Sequence, residues 1–132
     1  MRMFYSQVFL KHLNGQPLEP MERMLLDVIL LHPEYHDLLK APDQAAQQEY
    51  GIDNGQTNPY LHMGMHIAIR EQASIDRPAG IAALHSRLVE QLGASDAEHR
   101  MMECLGTMLW TSQRENRPPD ELAYLECIRK LL

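Results

Sequence analysis

Residues 58–72 read NPYLHMGMHIAIREQ. Asn58 is a strong N-cap and Pro59 a favoured first helical residue, so a helix is expected to begin there. At roughly 100° per residue, His66 follows His62 by about 40° around the axis, and Leu61, Met65, Ile69 and Ala73 share that side. The two histidines are therefore expected to point into a core. Glu71 stands about 180° from His62 and cannot share a ligand with the pair. Met63, Gly64 and Ile67 occupy the far side, so the helix is apolar nearly all round and is expected at the centre of the fold.

The segments on either side repeat the helical period. Residues 3–13 form a first helix with Phe4, Val8 and Leu13 inward, stopped by Asn14-Gly15. A second begins near Pro20 and carries Met21, Met24, Leu25, Val28 and Ile29 on one stripe with His32. Pro33 pushes His32 out of helical geometry and opens a short helix bearing His36, Leu38 and Leu39. Residues 41–57 are polar, with a short helix expected from Pro42 through Ala46 and a loop over 51–55. Asp76-Arg77-Pro78 starts a helix of Ile81, Leu84, Leu88, Val89 and Leu92 that Gly93 ends. Ser95 and Glu98 have the spacing of a capping box for the next helix, which is expected to run to about Gln113 with His99, Met102, Glu103, Gly106 and Trp110 on one inward stripe. Pro118-Pro119-Asp120 opens a last helix of Leu122, Leu125, Ile128, Leu131 and Leu132. No strand pattern occurs. The expectation is an all-α, single-domain bundle of about six helices over residues 1–132.

The chain has 132 residues, 45% of them hydrophobic, enough to bury a core. A net charge of −6 with scattered Lys and Arg offers no basic stripe for a nucleic acid. Residues 1–10 do not have the make-up of a signal peptide, and no apolar run reaches membrane-spanning length. Cys104 and Cys127 lack metal-ligand or redox spacing and are expected as two reduced thiols in a cytoplasmic protein.

The stretches NPYLHMGMHIAIREQ, HPEYH, DRPAGI, EHRMMECLGTMLW and YLECIRKL together resemble a bacterial family known as a domain of unknown function, number eighteen forty-one. The resemblance covers nearly the whole chain and implies a small helical protein, with no activity, substrate or cofactor attached. A second, motif-level resemblance is to hemerythrin-like bundles, whose di-iron site draws on His-x-x-x-His and His-x-x-x-Glu. It implies ligand roles for His62 with His66 and for His99 with Glu103, although the order of the two helices is reversed here and the closing His-x-x-x-x-Asp is missing.

Two readings follow. In the first, His62, His66, His99 and Glu103 converge to hold iron or zinc, with His36 the first addition and His32 the alternative one, because a buried Glu103 loses several kcal/mol of solvation unless something compensates it. In the second, the same residues form a structural His/Glu network in a non-enzymatic interaction module or homodimer, whose partner meets the face of Met63 and Ile67. His12 and His85 are expected at the surface. Met63 and Met65 diverge by about 160° and are expected as core filler rather than copper ligands. Arg70, Asp76 and Arg77 are expected as solvated helix-end charges. Neither a covalent nucleophile nor a phosphate loop is present.

Overall fold

The computed structural model describes residues 2–42 and 58–132, and every regular element among them is helical. Helix α1 spans Arg2–Leu13 and α2 spans Pro20–Leu30. A 3-10 turn, Pro33–Tyr35, leads into α3, His36–Lys40. Helix α4 is Pro59–Ile75, α5 is Ile81–Leu92, α6 is Ala94–Glu115 and α7 is Glu121–Arg129. The all-α expectation is met. The helix and loop expected beyond Pro42 lie outside the described residues. The chain divides into two compact units, Met1–Ile67 and Ala68–Leu132, with the boundary falling inside α4.

In the first unit, α1 buries Tyr5, Ser6, Val8 and Phe9, and α2 buries Leu25, Leu26, Val28 and Ile29. All but Ser6 pack with Leu39, Tyr60 and Met63 into one apolar cluster, where each fully buried large side chain contributes about 1.5–3 kcal/mol. Leu13 does not join it and is 51% exposed. Asn58 caps α4 as expected, its Oδ1 accepting from the N–H groups of Tyr60 at 2.9 Å and Leu61 at 3.2 Å. Met63 is fully buried and Ile67 packs against the same cluster, so the face proposed for a docking partner is already covered.

An ion pair ties α1 to α2. Lys11 Nζ donates to Glu22 Oε2 at 2.8 Å, and the Glu19 N–H donates to Glu22 Oε1 at 2.9 Å. The backbone N–H first, and the ammonium second, hold the Glu22 carboxyl below its ordinary value. A depressed carboxylate contributes stability that is present above the ordinary carboxylate pKa and lost as pH falls through the lower, folded one. Acid unfolding of Glu22→Gln should therefore begin from a lower stability at neutral pH and fall less steeply below about pH 4 than that of the wild type. Superimposable acid limbs would remove Glu22 from this role.

In the second unit the apolar positions are Ile69 of α4, Ile81, Leu84 and Leu88 of α5, Met101 and Leu105 of α6, and Tyr124, Leu125 and Ile128 of α7, all buried. Asp76, at φ 52°, accepts with Oδ1 from the N–H groups of Gly80 and Ala82, both at 3.0 Å, and so secures the start of α5. Gly93, at φ 85°, closes α5 through its N–H to Val89 O at 2.8 Å and serves at once as the N-cap of α6. A residue with a Cβ is strained at that φ, so glycine is needed where two helices meet without a linker. The expected Ser95 capping box is consequently absent, because α6 has already begun at Ala94.

Helix α7 is capped by Asp120, whose Oδ1 accepts from the Ala123 N–H at 3.0 Å. Burial raises the Tyr124 hydroxyl above its ordinary value, and that hydroxyl donates to Gln72 Oε1 at 2.7 Å. Leu122, expected inward, is 80% exposed. Cys104 and Cys127 are not free thiols: they form a disulfide between α6 and α7 with Cα atoms 5.8 Å apart. Sequence spacing missed the pair because residues 116–120 reverse the chain between them. Closing a loop of 23 residues removes unfolded-chain entropy worth about 3 kcal/mol.

Candidate metal centre

Within the first unit, Pro33 decides where His32 goes. Helix α2 ends at Leu30, and His32 adopts φ −127° and ψ 68°, outside helical geometry, as the residue before a proline must. Its ring leaves the α2 stripe and meets the pair on α4. The ring centroid of His32 lies 4.8 Å from that of His62 and 5.0 Å from that of His66, and His62 and His66 are 5.0 Å apart. The rings meet edge to face. Ligand nitrogens of the three lie within 4.8 Å of one another.

His66 is fully buried, His32 is 4% exposed and His62 is partly buried. His32 Nδ1 lies 2.9 Å from Val28 O. A carbonyl only accepts, so Nδ1 carries the hydrogen and the lone pair of that tautomer is on Nε2. Orientation of an imidazole by a backbone carbonyl is the usual outer-shell arrangement of a metal-binding histidine. Tyr35 stacks on His32 with centroids 5.2 Å apart and planes 9° from parallel, which fixes the ring further.

The sequence-derived set is thus only partly assembled in this unit: His62 and His66 are together, and His32 rather than His36 is the residue that joins them. His36 Nε2 donates to Ile29 O at 2.9 Å, and its ring packs on Phe9 with centroids 4.6 Å apart. His99 and Glu103 belong to the second unit, on α6. His99 is partly buried and Glu103 is exposed. The expectation that Glu103 stands on a core face therefore fails. Helix α6 instead buries Ala97, Glu98, Met101, Met102, Cys104 and Leu105, a face rotated by roughly 140° from the expected stripe, and Trp110 is 58% exposed.

The buried carboxylate of the second unit is Glu98, 1% exposed. Arg70 Nε donates to both of its oxygens at 3.1 Å, and His85 Nε2 donates to Oε2 at 3.1 Å. Arg70 and His85, expected in solvent, have side chains only 20% exposed. The signal that could have found this triad is the apolar run of Ala97, Met101, Cys104 and Leu105, which places Glu98 inward.

Three imidazoles converging in this way form a nitrogen donor set suited to zinc, copper, nickel or iron(II), and a site of three histidines leaves a coordination position open. No helix among the described residues is long and apolar enough to cross a membrane. A family model described as Domain of unknown function (DUF1841) matches residues 1–130, and the chain belongs to that family. No curated protein and no solved structure matches it.

Proposed function

We propose that this member of the family binds one divalent transition metal through His32, His62 and His66, with the fourth position open to water. The observation that carries the reading is the triangle of imidazole rings about 5 Å apart, drawn from two separate chain segments and largely buried. A hydrophobic interior has no need of three polar rings at one point, and each costs solvation unless its nitrogens are used.

Zinc is favoured over iron. Non-haem iron centres use carboxylate ligands with histidine, whereas Glu103 is exposed and Glu98 is engaged by Arg70 and His85. Glu103 and His36 are accordingly outside the proposed set, and a hemerythrin-like di-iron centre is not favoured. The cytoplasmic expectation rested on reduced thiols. The disulfide withdraws that support, and the metal reading is independent of compartment.

Elemental analysis of untagged protein, dialysed after loading with zinc, should give about one zinc per chain for wild type and His36→Ala. His32→Ala should fall well below half occupancy. Zinc content unaffected by His32→Ala would refute the site. The rival reading, an interaction module with structural histidines, requires wild type that takes up no metal and migrates as a dimer in sizing experiments.

A further inference from the structure

The Cys104–Cys127 disulfide is not sealed in the interior. It lines a cavity of about 380 Å³ in the second unit, formed by the later turns of α6, the start of α7 and the reversal between them. We propose that this cavity is a thiol–disulfide exchange site for a low-molecular-weight thiol that carries a carboxylate. The inference is independent of the metal site, because it uses none of the same residues.

Three observations support it. The two cysteines differ in exposure: Cys104 is 3% exposed, whereas Cys127 is partly exposed on the short helix α7. An attacking thiolate that enters the cavity therefore meets Cys127 first, and accessibility is a main determinant of which sulfur reacts. The volume is at the low end of the roughly 300–1,000 Å³ of small-molecule sites, enough for a tripeptide-sized thiol and too small for a folded reductase domain. Arg117 lines the same cavity together with Glu115 and Asp120, a cation beside two carboxylates that suits a thiol carrying both a carboxylate and an ammonium group; its ion pair with Glu115 is long, at 3.8 Å, and the Arg117 side chain is 73% exposed, which leaves the guanidinium open to a ligand carboxylate.

In the exchange, a thiolate RS⁻ attacks Cys127 Sγ. A bond forms between R–S and Cys127 Sγ, the Cys104–Cys127 bond breaks, and Cys104 leaves as a thiolate that takes a proton from solvent. A second RS⁻ attacks the sulfur of the bound R group, releasing RSSR and the Cys127 thiolate. Two thiols are oxidised to one disulfide, and the protein disulfide is reduced to two thiols.

The test uses the full oxidised chain and glutathione as the probe, with alkylation and intact mass as the readout under native conditions. Millimolar reduced glutathione should open the disulfide while far-ultraviolet circular dichroism stays native, and quenched samples should contain one glutathione per chain, mapped by peptide mass to Cys127. Cys104→Ser with oxidised glutathione should form the same adduct at least tenfold faster than Cys127→Ser, whose remaining thiol is the buried one. Arg117→Ala should slow glutathione several-fold and leave the uncharged 2-mercaptoethanol unaffected. A disulfide that resists glutathione until the chain unfolds would overturn the proposal and leave a purely structural cross-link. Reduction only by a thioredoxin-type protein, or an adduct confined to Cys104, would overturn it as well.

Discussion

Glu98→Ala is expected to lower the melting temperature by roughly 10 °C at neutral pH. Glu98 is the only charged residue described as fully enclosed on α6, and it accepts from Arg70 on α4 and His85 on α5. Removing one partner of a buried ion pair costs about 3–5 kcal/mol, because the remaining charge stays dehydrated without its counter-charge. Arg70 and His85 retain 20% side-chain exposure and recover some hydration, so the low end, about 3 kcal/mol, applies. For a chain of this size each kcal/mol moves the melting temperature by about 3–5 °C. Glu103→Ala, at an exposed position on the same helix, should change stability by less than about 0.5 kcal/mol. If charge is the cause, Arg70→Met combined with Glu98→Met should be less damaging than Glu98→Ala alone, since neither ion is then stranded. Equal losses for Glu98→Ala and Glu103→Ala would show that the triad does not hold these helices together.

The contrast between Glu98 and Glu103 also explains how far the sequence could be read. Helix existence was legible almost throughout, because capping residues, prolines and the 3.6 period act locally: Asn58, Pro20 and Asp120 stand where their chemistry places them. Which face of α6 turns inward was not. Two patterns compete on that helix, one of Ala97, Met101, Cys104 and Leu105 and one of His99, Met102, Gly106 and Trp110, and only the packing of neighbouring helices chooses between them. Histidine spacing favours the second, and the packed helix uses the first. Ser95 three residues before Glu98 has the spacing of a capping box, but Gly93 is the N-cap and the helix has begun before Ser95.

The candidate site divides in the same way. His62 and His66 are i, i+4 on one helix, and their adjacency follows from 100° per residue alone. His32 joins them across at least 30 residues of chain, a tertiary event that periodicity cannot encode. The local part of the cause was visible in Pro33, which takes His32 off the α2 stripe. It also determines the fate of His36, which begins α3 with its Nε2 turned back to the last turn of α2 at Ile29. Cys104 and Cys127 are a similar case: a spacing that matches no motif became a cross-link because a five-residue reversal sets two helices side by side.

Zinc is expected to raise the melting temperature of the wild-type protein by roughly 15 °C when free zinc exceeds the dissociation constant a thousandfold, since binding to the folded state alone then contributes about 4 kcal/mol. Chelator should reverse the shift. The informative quantity is the difference between zinc-loaded and chelated protein for each variant, because substituting a buried ring also costs packing. His66→Ala removes a fully enclosed side chain and should lower the chelated melting temperature on its own. The zinc increment should nevertheless fall to a few degrees in His66→Ala and in His62→Ala, each of which deletes one of the converging nitrogens. His36→Ala supplies the control. It loses a hydrogen bond to Ile29 and a ring contact with Phe9, so its chelated form should also melt early, yet its zinc increment should match that of the wild type. An increment that survives in His62→Ala and His66→Ala would mean that zinc acts elsewhere on the chain, and the ring triangle would then be a packing feature of α4 and the turn at Pro33.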